Sequence, residues 1–316
     1  MIGTIRLLHK ILLYVYIMKP ITKYINEGFF NNVGVNYNDI VIDWITSLYG
    51  IITQGGIEKT LDGISKDQLK RIITIDDEGR ISTPSNKRSQ TELWVKIYPK
   101  DIDSMPDITY FGERLTLKLI LCQFGKSDFS KLNKLKDKLP SEILSVVFSG
   151  CDISDMSFLK NVKHIEKLRM CESIITSFKG IGGIKIDIIE AERMYNTDNG
   201  NAFSTLPKIT NSIYINNCDD IENLTGIKYA LTPTTSLIIY KCYNIKECEL
   251  SAQVLKKISG DDSIFPIFDD PQTFPKKINT IEFDTVKDLQ RLDKIKEMIK
   301  NHYPPSVDIY CLRCRR

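Results

Sequence analysis

Ile213-Tyr-Ile215-Asn-Asn-Cys218-Asp-Asp-Ile221 and Leu237-Ile-Ile239-Tyr-Lys-Cys242-Tyr-Asn-Ile245 superpose position for position, and a serine, Ser212 or Ser236, precedes each. The shared pattern is apolar-x-apolar, two polar residues, cysteine, two polar residues, then isoleucine. Alternation at a period of two is a strand signature, with one set of side chains turned inward and the other outward. A cysteine just past such a strand is acceptable in a core, because a free thiol behaves as a small buried hydrophobe.

The same pattern recurs upstream. Leu117-Lys-Leu119-Ile-Leu-Cys122-Gln-Phe124 is the first copy, Val146-Val-Phe148-Ser-Gly-Cys151-Asp-Ile153 the second and Leu168-Arg-Met170-Cys-Glu-Ser173-Ile174 the third. A weaker copy runs Ile186-Asp-Ile188-Ile-Glu-Ala191. Strands starting at 117, 146, 168, 186, 213 and 237 are 29, 22, 18, 27 and 24 residues apart. Over roughly residues 112–250 the chain resembles the leucine-rich-repeat family, whose core is L-x-x-L-x-L-x-x-N/C-x-L at a period of about 20 to 29 residues. The resemblance implies an α/β fold: an irregular leucine-rich-repeat-like solenoid with stacked parallel strands. Ile replaces most Leu and the inter-strand lengths vary, which implies a bent, irregular array. An antiparallel sandwich is the alternative, since it also spaces short strands at such intervals.

Outside the array the signals change. Asn38-Asp-Ile-Val-Ile-Asp-Trp-Ile-Thr-Ser-Leu-Tyr49 reads as a helix with Ile40, Ile42, Trp44, Ile45 and Leu48 on one side and Gly50 as its stop. Ile72–Ile75 reads as a short strand. After Ser251 the pattern loosens into a Pro- and Asp-rich stretch. Ile278-x-x-Ile281-x-Phe283 then reads as a strand, Val286–Asn301 as an amphipathic helix ended by Pro304 and Pro305, and Val307–Cys311 as a last strand. The expected division is 1–17, an upstream extension or signal-like segment; 18–36, a targeting-like segment; 37–95, a small mixed α+β region; 96–260, the repeat array; and 261–316, a strand-helix-strand unit that caps its open core.

Composition narrows the function classes. With 316 residues, 42% of them hydrophobic, the chain has material for a substantial core. Forty-three Lys and Arg against 40 Asp and Glu are interleaved along the chain, so no nucleic-acid footprint is expected. Eight scattered cysteines form no dense framework and suit free thiols in a reducing compartment. Arg6 and Lys10 ahead of Ile11–Ile17 resemble a signal peptide, but the run is too short to span a bilayer and no small-x-small site follows. Met18 is therefore expected as the functional start, and no membrane span is expected.

Catalytic and metal signatures are thin. His9, His164 and His302 stand in no triad or metal spacing. Cys311-Leu-Arg-Cys314 is half a zinc site with no second pair, and Gly180-Ile-Gly-Gly183 lacks the Lys-Ser/Thr ending of a phosphate loop, so it reads as an inter-repeat turn. Asp219-Asp220 and Asp261-Asp262 read as solvated turns. No cofactor and no metal is expected, and the expected role is non-enzymatic binding of a protein partner. The residues expected to carry it are the outward positions of the strands: Lys118, Arg169, Glu172, Asp187, Glu190, Tyr214, Asn216, Asn217, Tyr240 and Lys241. Tyr and Arg among Asn and mixed charges favour protein contacts, although any one of these residues alone reads as part of a solvated face. An enzyme with a catalytic N-terminal region and substrate-recruiting repeats is one alternative. A secreted adhesin, which requires residues 1–17 to act as a signal, is the other.

One segment bears on setting. Met18-Lys-Pro-Ile-Thr-Lys-Tyr24-Ile25-Asn26-Glu27-Gly28 resembles the capsid-targeting peptide of internal head proteins of large tailed phages. The plainer reading is an amphipathic starter helix with Ile21, Tyr24 and Ile25 on one side. The resemblance implies a virion or host-cell location and cleavage between Glu27 and Gly28 by a head-maturation protease. N-terminal sequencing of the chain recovered from assembled particles is expected to begin at Gly28, and Glu27→Ala to leave the segment attached. An uncut wild-type chain in such particles removes the processing assignment.

Overall fold

The computed structural model of the protein describes residues 37–54, 57–75, 81–83, 90–109, 115–195 and 200–313. Segment 18–28, with Glu27 and Gly28, and Cys314 lie outside them. The chain is α/β, with one large open sheet of twelve strands and few helices. β1 (Tyr49–Gln54) and β2 (Ile57–Thr60) form an antiparallel hairpin, and β1 pairs antiparallel with β5 (Thr91–Ile97). From β5 onward every neighbour in this sheet is parallel. The order is β6 (Leu115–Cys122), β7 (Glu142–Ser149), β9 (His164–Cys171), β11 (Lys185–Glu192), β12 (Ile209–Asn216), β13 (Ser236–Tyr240), β14 (Val254–Gly260), β15 (Lys277–Asp284) and β16 (Asp308–Leu312). The parallel pairing of β12 with β13, Ile213 opposite Leu237 and Ile215 opposite Ile239, excludes the antiparallel sandwich. Two small sheets accompany it: β3 (Thr74–Ile75) with β4 (Ile81–Ser82), antiparallel, and β8 (Asp152–Ile153) with β10 (Ile174–Ile175), parallel.

Register fixes which residues are equivalent. Val95, Leu119, Val146, Leu168, Ile189, Ile213, Leu237, Ile258, Ile281 and Ile309 lie opposite one another along the sheet, and successive members are 21 to 28 residues apart. Two expected copies are therefore corrected. The first is framed on Leu119 and Leu121, not Leu117 and Leu119, so Phe124 and not Cys122 takes the position after the turn. The weaker copy is framed on Ile189 and Ala191 instead of Ile186, because Ile186 lies opposite Ile165, three residues ahead of Leu168, and Ile189 lies opposite Leu168 itself. The expected junction at 95/96 falls inside β5. The stretch after Ser251 contains a full parallel strand, β14, whose inward row carries Gly260 where the others carry a larger side chain. A Cβ at Gly260 would lie 2.0 Å from the Ile239 carbonyl oxygen.

Eight of the ten parallel strands, all but β5 and β14, leave the sheet by one device. Gln123, Glu172, Arg193, Asn217, Lys241, Thr285 and Arg313 all adopt positive φ between 49° and 59°, and Gly150 does so at 61°. All eight stand one residue beyond the last outward strand position. The twist lets the N–H continue the parallel ladder: Gln123 donates to Ser149 O at 3.0 Å, Glu172 to Glu192 O, Arg193 to Asn216 O, Asn217 to Tyr240 O and Thr285 to Leu312 O, each at 3.0 Å. At Lys241 the acceptor is the Asp261 carboxylate, at 3.0 and 3.2 Å. The next residue turns into the core. Cys151 N–H donates to Ser173 Oγ at 3.1 Å, Cys218 N–H to Cys242 Sγ at 3.4 Å and Cys242 N–H to Ser263 Oγ at 2.8 Å, which suits Cys or Ser at 173, 242 and 263. All three cysteines are buried and unpaired. Burial pushes the Cys151 thiol up to about 11 and, through its hydrogen bond with Cys218 and burial, raises Cys242 as well.

Behind the strands, short 3-10 turns and phenylalanines fill the interior, with Phe148 against Phe158 at 6.3 Å and Phe178 against Phe203 at 6.1 Å. At the N-terminal side the helix Tyr37–Ser47 buries Val41, Ile42, Trp44 and Ile45. Gly50 belongs to β1, where a Cβ would lie 2.0 Å from Trp94 O, so it serves close strand approach and not helix termination. At the C-terminal side the helix Leu289–His302 starts three residues later than expected, because Asp288 caps it by accepting from Arg291 N–H at 3.0 Å. Its Leu292, Ile295 and Ile299 are buried.

Ile215 and Ile239 are fully buried mid-sheet. Ile215→Ala is expected to lower unfolding free energy by about 2 to 5 kcal/mol in urea titration, and Ile215→Asp to abolish folding. A loss well under that range would mean the inward row is not a packed core.

Candidate functional site

The outward side of the sheet is the one extended surface that the strand geometry builds from side chains of many units. Its middle column reads Lys96, Ile120, Val147, Arg169, Glu190, Tyr214, Ile238, Ser259, Glu282 and Tyr310 in register order. A second column at the strand ends includes Cys171, Glu192, Asn216 and Tyr240. Arg169, Glu190, Tyr214, Asn216 and Tyr240 are thus brought together on four adjacent strands, and the Tyr214 and Tyr240 rings lie 6.2 Å apart with their planes at 44°. Both rings are half-buried.

The charges around the rings are paired across strands. Lys167 Nζ lies 2.9 Å from Glu190, and Arg169 spans Glu190 at 3.7 Å and Glu192. Lys257 meets Glu282 at 2.9 Å, which also accepts from Ser259 Oγ at 2.8 Å. Tyr240 donates its hydroxyl to Asp284 at 3.2 Å, and Arg313 closes on the same carboxylate. Burial, with Glu192 and Glu190 nearby, pushes the Tyr214 phenol up, and burial dominates the same shift at Tyr240.

The remaining expected positions sit elsewhere. Lys118 is four strands from Tyr214, about 19 Å at about 4.8 Å per strand, and is engaged locally by Glu92 at 2.6 Å and by the Trp94 ring at 4.0 Å. Glu172, Asn217 and Lys241 are not strand-face residues: they occupy the left-handed exit row, where Glu172 pairs with Arg193 at 2.9 Å. Asp187 lies at the register shift in β11, bonded to His164 Nε2 at 2.8 Å and to Thr210 Oγ1 at 2.7 Å. Burial opposes its ionisation, but those two hydrogen bonds hold its carboxyl below the ordinary range. Lys167, Ile188, Glu192, Ile238, Glu282 and Asp284 belong to the face and were missed. Framing the repeats on the residue after the turn, instead of the first apolar pair, would have found them.

Among the described residues no group of three His, Cys, Asp or Glu side chains is placed to hold a metal ion, and no helix is long and apolar enough to cross a membrane. No family model, curated protein or solved structure matches the chain.

Asp284 is buried on this face, and Arg313 holds its carboxyl below the ordinary carboxylate range against the opposing effect of burial. A group with a depressed folded-state pKa adds stability above its unfolded pKa and loses it as pH falls through the folded one. Stability measured by denaturant titration is therefore expected to fall as pH drops below the ordinary aspartate range. Asp284→Asn should flatten that slope, and an unchanged slope would show that the Arg313 pairing does not contribute.

Proposed function

We propose that this chain is a non-enzymatic recognition module, an irregular leucine-rich-repeat-like solenoid whose outward strand face takes a protein partner. The solenoid reading is supported by ten register-equivalent positions 21 to 28 residues apart, within the leucine-rich-repeat period. The binding reading rests on one observation above all: Tyr214 and Tyr240 side by side, flanked by Ile188, Ile238, Asn216 and Arg169 on adjacent strands. Aromatic rings offer large contact area at small entropic cost, and Arg adds a polar handle. The surrounding carboxylates already have partners, so they define register for an incoming surface more than they attract it. A virion-associated setting is part of the proposal and rests on the resemblance of residues 18–28.

Immobilised wild-type chain, a Tyr214→Ala/Tyr240→Ala variant and a Tyr195→Ala/Tyr229→Ala control are compared in capture from the native source. The control removes two exposed tyrosines that lie off the main sheet. The face variant is expected to lose captured protein several-fold, at least about 1 kcal/mol per true hot spot, while the control retains it. Because the two rings also pack on each other, a stability loss of about 0.5 to 1.5 kcal/mol accompanies the face variant. Equal capture by the face variant and wild type would show that the partner binds elsewhere.

A further inference from the structure

The last strand of the sheet carries its interior to an end that is open among the described residues. In β15 the inward residues Ile281 and Phe283 are fully buried, whereas their register partners in β16, Ile309 and Cys311, are partly buried and exposed respectively. On the outward side Tyr310 is 48% and Leu312 44% exposed. Among the described residues β15 is the single neighbour of β16, so alternate backbone N–H and C=O groups of this strand point away from the sheet. The opposite edge differs. β2 is also exposed, but Glu58 and Lys59 occupy its centre, and such charges discourage strand addition. Between Asp308 and Arg313, β16 carries none.

We propose that the outer side of β16 is a self-association edge, pairing antiparallel with β16 of a second copy about a two-fold axis. Charge selects this occupant and this direction. Asp308 opens the strand and Arg313, whose side chain stays 75% exposed while it holds Asp284 of its own chain, follows it, so antiparallel pairing brings each Asp308 near the basic end of the other copy, whereas parallel pairing sets like charges side by side. Side-chain alternation agrees. A two-fold axis normal to the sheet keeps inward residues inward, and with Tyr310 at the axis Ile309 of one copy stands opposite Cys311 of the other. The exposed end of the interior layer is then covered by its own image, and Tyr310 meets Tyr310. The contact is isologous and closes at two copies. Five residues per copy make a small interface, so association is weak and concentration-dependent.

The test is sedimentation velocity of the full chain over a concentration series, in a Cys314→Ser background that leaves Cys311 as the exposed thiol of the strand. Wild type is expected to shift from monomer to dimer, and a short bismaleimide to link two copies through Cys311. Tyr310→Lys and Tyr310→Glu each place like charges at the axis and should weaken dimerisation at least about tenfold, without lowering the melting temperature of this exposed site. Mixing the two variants should restore a heterodimer, because opposite charges then meet at the axis. Monomer at every concentration overturns the proposal, as does a dimer indifferent to both variants or a mixture that stays monomeric. Growth beyond dimers overturns the two-fold pairing and identifies β2 as the docked edge. None of these outcomes depends on whether the Tyr214–Tyr240 face binds a partner.

Discussion

The structure depends on how the chain leaves a parallel strand. At that point the backbone must turn into the core while its N–H still reaches the carbonyl of the next strand, and a left-handed residue meets both demands. Left-handed geometry costs an ordinary L-residue roughly 1 to 2 kcal/mol. Seven non-glycine residues hold it here, all in one row, a total comparable with the net stability of a domain. Six of the seven complete a hydrogen bond to the next unit, worth about 0.5 to 1.5 kcal/mol net each, which offsets part of that cost. Where the next unit has no carbonyl in place, at Lys241, the buried Asp261 side chain supplies the acceptor, which shows how strictly the position requires one.

The row that follows inherits its chemistry from this turn. Cys218 and Cys242 are not merely small hydrophobes filling space: the Cys242 sulfur accepts the Cys218 N–H, and Cys218 and Cys242 in turn point their thiols at backbone carbonyls. Serine does the same work at Ser173 and Ser263. A side chain here must be compact, accept one hydrogen bond and tolerate burial, and Cys and Ser satisfy all three. Methionine at 194 and phenylalanine at 124 occupy equivalent places and are buried there as apolar side chains.

Much of this was readable from the sequence, and the failures have physical causes. Alternating apolar residues around 146, 168, 213 and 237 fixed four strands and their inward rows, because a one-residue slip would have turned them to solvent. The copies at 117 and 186 were misframed because a longer apolar run offers two acceptable frames, and only the position after the turn separates them. β5 and β14 were overlooked: neither is followed by Cys, and β14 carries Gly260 in its inward row. The left-handed row was invisible because Gln, Glu, Arg, Lys and Thr give no local sign of positive φ, whereas Gly150 and Asn217 do. Of the candidate face, the central residues Arg169, Glu190, Tyr214, Asn216 and Tyr240 were legible from alternation alone. Glu172, Asn217 and Lys241 were displaced from it by the same unseen turn.

Ion pairs cross the face between neighbouring strands: Glu92 with Lys118 at β5–β6, Lys257 with Glu282 at β14–β15, and Lys167 and Arg169 with Glu190 and Glu192 at the β9–β11 boundary. Arg169 and Lys167 are therefore consumed in holding β9 to β11, and such partly exposed pairs contribute at most about 1 kcal/mol each. A partner that displaced them would exchange one set of ion pairs for another with little gain. The surface with unspent capacity is the half-buried strip of Ile188, Tyr214, Ile238 and Tyr240 just beyond that boundary. There an incoming apolar group can remove area from water at roughly 25 cal/mol per Å² without first breaking a charged pair. Geometry thus concentrates any binding energy on β11 to β13, and leaves the flanking charges to set orientation.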